Sequence, residues 1–116
     1  MDVSSFVPRF KVWVENGDQV ALSDWRVSLL EAIGECGSLA AAARSLSVPY
    51  KTAWYKLKEI EAALGLVLVT TSSGGAHGGG AELTDSGRDV IRRYHAVVDG
   101  LDELVEVRFQ AAFAAG

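Results

Sequence analysis

The sequence predicts a mainly α-helical fold with a small β component, in which three short helices are followed by a glycine-tipped β-hairpin and one long helix. Three observations lead there. Apolar residues recur at spacings of three and four through residues 24–64. Two short β-like segments bracket a glycine-rich run within residues 67–84, and a seam of alternating three- and four-residue steps continues through residues 85–113. A chain of 116 residues with 49% hydrophobic and 22% charged residues has the composition of one folded domain, so residues 1–116 are taken as a single unit.

The elements follow in order. Residues 9–22 predict a hairpin: Phe10, Val12 and Val14 alternate with Lys11, Trp13 and Glu15, Asn16-Gly17 suits a type I′ turn, and Val20 to Leu22 returns. Asp24, preceded by Ser23, can cap a helix running to about Cys36 with Trp25, Leu29, Ala32, Ile33 and Cys36 on its apolar stripe, and Gly37 stops it. Ser38 caps a short second helix with Leu39, Ala42, Ala43 and Leu46 inward, where small alanines permit close approach of a neighbour. After a break at Ser47-Val48, Pro49 suits the first position of a third helix, which buries Ala53, Leu57, Ile60 and Leu64 and ends at Gly65. Residues 67–84 form the second hairpin, with strands Val67 to Thr71 and Ala81 to Thr84 around five glycines between Gly74 and Gly80. Thr84 then caps a long helix, residues 85–113, whose seam Ile91, Tyr94, Val98, Leu101, Val105, Arg108 and Ala112 is that of a dimerising coiled coil.

The net charge is −4, which by itself opposes a polyanionic partner, but the charges are segregated. Between Cys36 and Lys58 stand four bases, Arg44, Lys51, Lys56 and Lys58, and no acid; all 15 acids lie outside that window. The third helix therefore carries an apolar face and, opposite it, Lys51, Thr52, Tyr55 and Lys56. Two short helices joined by a tight turn place the second against a DNA major groove about 12 Å wide. Lysines attract phosphate and donate to base edges, while threonine and tyrosine hydroxyls donate or accept there. Together with the following hairpin this is the pattern of a winged helix-turn-helix.

Other chemistries lack their residues. The glycine run has no Gly-Lys-Ser/Thr entering a helix, as a phosphate-binding P-loop requires. His77 and His95 stand apart without a ligand cluster, the single Cys36 has no second thiol, and no serine or threonine has an evident base, so no metal, cofactor or catalytic role is expected. No apolar run approaches membrane-spanning length and no basic-then-apolar leader opens the chain, so a cytoplasmic protein without membrane attachment is expected.

Four stretches carry a resemblance to a known family: Gly37 to Leu46, Tyr50-Lys51-Thr52-Ala53-Trp54, the loop Thr71 to Gly80, and Leu83-Thr84-Asp85-Ser86-Gly87. They resemble the N-terminal DNA-binding domain of the ModE family, the molybdate-responsive bacterial transcription regulators, and share the general helix-turn-helix pattern of LysR-type regulators. The similarity extends over roughly Phe10 to Phe113. It implies a winged helix-turn-helix in which the long terminal helix dimerises and Ser38, Lys51, Thr52, Tyr55 and Lys56 face DNA. Tyr50 and the wing residues Ser72, Ser73 and His77 complete the candidate DNA-binding set, and Ile91, Tyr94, Val98, Leu101 and Val105 form the candidate dimer interface.

Family wings commonly carry cations, whereas residues 70–80 here contain neither Lys nor Arg. The expected protein is a stand-alone DNA-binding domain without a molybdate-sensing module: a homodimeric transcriptional regulator, with repression the expected sense, that recognises a partly palindromic double-stranded operator and does not itself bind molybdate. The alternative is a winged-helix protein-interaction module that does not read DNA.

Overall fold

The computed structural model describes residues 1–73 and 79–114. Its elements are β1 (Val14–Asn16), β2 (Gln19–Leu22), α1 (Asp24–Cys36), α2 (Leu39–Ser45), α3 (Tyr50–Leu64), β3 (Val69–Ser72), β4 (Gly80–Leu83), α4 (Asp85–Val98) and α5 (Leu101–Phe113). β1 pairs antiparallel with β2, and β3 with β4, as two separate ribbons. The winged helix-turn-helix is therefore present.

Local chemistry sets the boundaries. The Ser23 side chain accepts from the Arg26 amide and caps α1, so Asp24 is the first helical residue and not the cap. Gly37 ends α1 at φ 74, Gly65 ends α3 at φ 67, and Ser38 and Thr84 cap α2 and α4 through the Ala41 and Gly87 amides. Pro49 caps α3 from just outside and does not enter its first turn.

The first hairpin is shorter than expected. β1 begins at Val14, because its partner strand stops at Leu22 where Ser23 starts a helix, leaving Phe10 to Trp13 nothing to pair with. Its loop is Gly17-Asp18, with only Gly17 at positive φ, which matches a type II′ and not a type I′ connection. Asn16 is thereby freed from the turn, and its side-chain amide donates to the Ala63 carbonyl at the end of α3, 2.7 Å away.

The core lies among α1, α2, α3 and the base of the wing, with Val27, Leu29, Leu30, Ile33, Ile60 and Leu68 fully enclosed. Ala42, Ala43 and Ala53 are equally buried, the small residues that let α2 and α3 approach. Val27 and Leu30 join a stripe on α1 that is wider than expected, while Cys36 is exposed at its edge.

The wing base is locked to its neighbours. Thr84 donates through its amide to the Leu68 carbonyl and through its hydroxyl to that of Val67, and the Ala81 amide donates to Gly37. A Cβ on Gly87 would stand 2.3 Å from the Leu68 carbonyl oxygen, a fixed backbone atom. Gly87→Ala is expected to lower stability by about 1–3 kcal/mol in urea unfolding. Gly34→Ala is the control: its Cβ would meet only the flexible Leu83 side chain and gains helix propensity, so a variant as damaged as Gly87→Ala would contradict this account.

The expected long terminal helix is present as two segments, broken at Asp99-Gly100, where Gly100 takes φ 86. α4 packs on the domain; α5 has no buried residue. The described residues extend over 64 × 28 × 22 Å with a radius of gyration of 18.0 Å. A compact chain of this length would have about 13 Å, so the terminal segment projects from the globular part.

Tyr94 fastens α4 inward. Its hydroxyl lies 2.5 Å from an Asp24 carboxylate oxygen and 3.0 Å from the Val12 carbonyl. Burial, reinforced by the Asp24 carboxylate, pushes the phenol up to about 12. The neutral form is the one the fold favours, so this contribution is complete below pH 10 and declines as pH rises from there toward 12. Tyr94→Phe is expected to cost about 1 kcal/mol at neutral pH and to remove that part of the alkaline decline. Identical unfolding curves for both proteins across pH 9 to pH 12, read as roughly bracketing the shift, would refute the assignment.

Candidate nucleic-acid interface

The outward surface of α3 is set by its buried stripe. With Ala53, Leu57, Ile60 and Ala63 enclosed, a helical period of about 100° per residue turns Lys51, Tyr55 and Lys58 to the opposite side. Tyr50 is 56% exposed, Tyr55 52% and Trp54 40%, and Lys51 and Lys58 are also exposed.

These side chains form one cluster. The Trp54 and Tyr55 rings meet edge to face at 5.2 Å, the Lys51 Nζ stands 5.8 Å from the Tyr55 ring centroid, and the Lys58 Nζ stands 5.8 Å from that of Trp54. Each ammonium group thus stands within cation–π reach of a ring while its side chain stays exposed. Between this cluster and the wing runs a groove of about 550 Å³, bounded by Arg44, Tyr50, Trp54 and Lys58 on the helical side and Thr71 to Ser73 on the other.

The wing is held against α3 by one carboxylate. Glu61 receives the Lys58 ammonium on Oε1 at 3.3 Å, while its Oε2 accepts from the Leu68 amide at 2.8 Å and the Val69 amide at 3.3 Å. The helix that carries the cations thus also sets where β3 begins.

Most of the sequence-derived residues come together. Tyr50, Lys51 and Tyr55 lie on the outward surface, and Ser72 and Ser73 border the groove. Ser38 borders it too, but its hydroxyl oxygen is engaged by the Ala41 amide. Thr52 and Lys56 are half-buried on the flank toward α1, and Lys56 is paired with Glu59 at 3.3 Å. His77 lies outside the described residues.

Sequence reasoning missed Trp54, Lys58 and Arg44. Lys51, Tyr55 and Lys58 follow steps of four and three, so the helical period alone could have placed Lys58 with the other two. Trp54, 40% exposed, is half-turned to the groove. Arg44 and Lys51 take part in no ion pair among the described residues.

The candidate dimer residues divide at the helix break. Tyr94 is 2% exposed and bonded within its own chain, and Ile91 and Val98 pack against the same core. Leu101 and Val105 lie beyond Gly100, half-buried on α5, next to Leu104 and Val107, which are exposed. Among the described residues, no three or more His, Cys, Asp or Glu are placed to hold a metal ion, and no helix is long and apolar enough to cross a membrane.

Comparison with known proteins places this geometry. The family described as bacterial regulatory helix-turn-helix protein, lysR family, matches residues 26–88, more than half of the chain. The molybdenum-pterin-binding protein MopB of Rhodobacter capsulatus is 42% identical over 69% of this chain and 30% of its own length. The molybdenum transport protein ModE of Azotobacter vinelandii is 35% identical over 97% of this chain and 38% of its own. The DNA-binding transcriptional dual regulator ModE of Escherichia coli is 38% identical over 60% of this chain and 26% of its own. The chain thus spans between a quarter and two fifths of the length of these curated relatives.

Among solved structures, the CbnR DNA-binding domain in complex with DNA superposes with a TM-score of 0.58 at 27% identity, covering 78% of this chain and 98% of that one. CbnR itself, a LysR family transcriptional regulator, gives 0.59 at 25% identity, covering 78% of this chain and 30% of that one.

Proposed function

This chain belongs to the bacterial regulatory helix-turn-helix proteins of the lysR family, and from that premise we propose that it binds double-stranded DNA as a homodimer and regulates transcription. The observation that carries the reading is the free surface of α3: Lys51, Tyr55 and Lys58 point outward beside the wing, with Tyr50 and Trp54 turned to the groove between them. Insertion of α3 into a major groove presents these donors to base edges and phosphates. Arg44 and the wing serines then reach the adjoining backbone, where neutral hydroxyls position without contributing charge.

Pairing through α5 supplies the second reading helix. Val97, Leu104 and Val107 are apolar and exposed, and Leu101 and Val105 extend the same terminal segment. An isolated helix of 13 residues is marginal in water, so α5 gains most of its stability from a partner that covers this face. Two-fold pairing sets two copies of α3 roughly one DNA turn, about 34 Å, apart and favours a partly palindromic operator.

The alternative, a protein-interaction module, is not favoured, since the exposed face is cationic in a chain of net charge −4 and the matching relatives include a DNA-binding regulator. Duplexes selected from genomic DNA and measured by fluorescence anisotropy at graded salt test the reading. Binding should weaken steeply as salt rises. Absence of binding to every selected duplex, by a folded protein, would overturn it.

A further inference from the structure

The flank of α3 carries an ion cluster that serves neither the core nor the outward face. The Glu59 Oε2 lies 3.0 Å from the Arg26 Nη2 and 3.3 Å from the Lys56 Nζ, so one carboxylate oxygen takes a cation from α1 and another from α3 itself. The two cations are not alike. The Arg26 side chain retains 13% exposure, and its Nη1 is enclosed without a hydrogen-bond partner, whereas the Lys56 side chain is 42% exposed and free to swing outward. Gln19, Val20 and Ala62 complete the shallow cleft around the pair.

This geometry bears on how a polyanion is met. Glu59 stands one helical turn beyond Tyr55 and two beyond Lys51, at the rim of the outward surface. An exposed lysine–glutamate pair is weak, and an approaching phosphate would ordinarily draw the lysine away. Here the carboxylate cannot follow or disperse, because Arg26 anchors it. Lys56 leaves only by abandoning a fixed negative charge, and that charge remains beside the phosphate.

We propose that Glu59 is a brake on sequence-indiscriminate DNA binding: it withholds Lys56 from phosphate, and Arg26 is the positioning residue that keeps it there. The proposal rests on the DNA-binding reading above. Non-specific affinity is counted almost wholly in phosphates neutralised, so one withheld lysine lowers it directly. Base contacts from the outward side of α3 do not pass through this cluster, and the margin between operator and bulk DNA widens accordingly.

The test is anisotropy with a scrambled-sequence duplex a few helical turns long, over graded KCl. Glu59→Gln should bind more tightly than the parent, with the slope of log K against log salt steeper by about 0.9, one additional phosphate. In a Lys56→Met background the same change should leave the slope untouched, which separates action through Lys56 from direct repulsion. Should Glu59→Gln melt early for want of an Arg26 partner, Arg26→Met with Glu59→Gln removes the buried cation as well and should show the same steepening. An unchanged slope in the folded variant, or a steepening that persists without Lys56, would overturn the brake while leaving DNA binding intact. A parent protein that binds no duplex at any salt would instead remove the reading on which it rests.

Discussion

Replacing Lys51 and Lys58 together by alanine is expected to weaken duplex binding on the order of ten- to hundredfold at moderate salt and to flatten the salt slope by about 0.9 to 1.8, one phosphate for Lys51 and up to one more for Lys58, which has first to leave Glu61. Both lysines are exposed on the outward side of α3, and neither packs in the core. The effect should therefore appear with the fold and the oligomeric state unchanged, as checked by circular dichroism and sedimentation. Lys56→Ala should flatten the slope far less, since that lysine sits half-buried on the flank of α3, off the outward surface that carries Lys51 and Lys58. A double variant that kept the parent's affinity and slope would remove α3 as the DNA-facing element.

If subunits pair through α5 as proposed, Leu104→Asp is expected to yield monomers. Leu104 is exposed in the protomer, so the substitution leaves the core intact and places a carboxylate only where the partner would cover it. Leu101 is less suitable for the purpose because part of its surface is already covered within the protomer. A monomer holds one α3 instead of two, so affinity for a two-half-site operator should fall by orders of magnitude as the second contact ceases to be intramolecular. Sedimentation equilibrium reads the first effect and anisotropy the second. A Leu104→Asp protein sedimenting as an unaltered dimer would mean that some other surface pairs the subunits.

Much of this architecture was legible in the sequence because the relevant signals are local. A capping serine at 38, a left-handed glycine at 37 and at 65, and the three- and four-residue rhythm between them define α1, α2 and α3 without reference to the rest of the chain. What escaped depended on distant partners. Alternation from Phe10 onward is a strand pattern, yet a strand exists only where another is available, and β2 ends at Leu22. Tyr94 fits a coiled-coil seam by spacing, and only the fold reveals that Asp24, 70 residues earlier, engages its hydroxyl. Lys56 and Lys58 are chemically equal in the sequence; the Arg26–Glu59 pair on one side and the wing amides on the other are what distinguish them.

The left-handed residue at Gly100 governs the bearing of everything after it. In an uninterrupted helix each inserted or deleted residue would rotate the downstream apolar stripe by about 100° relative to the domain. The break at Asp99-Gly100 resets that count, so the backbone angles of this junction, and not the register of α4, set the azimuth of the α5 stripe. A substitution that drew Gly100 into continuous helix would therefore swing that stripe to a new bearing without altering a single residue on it.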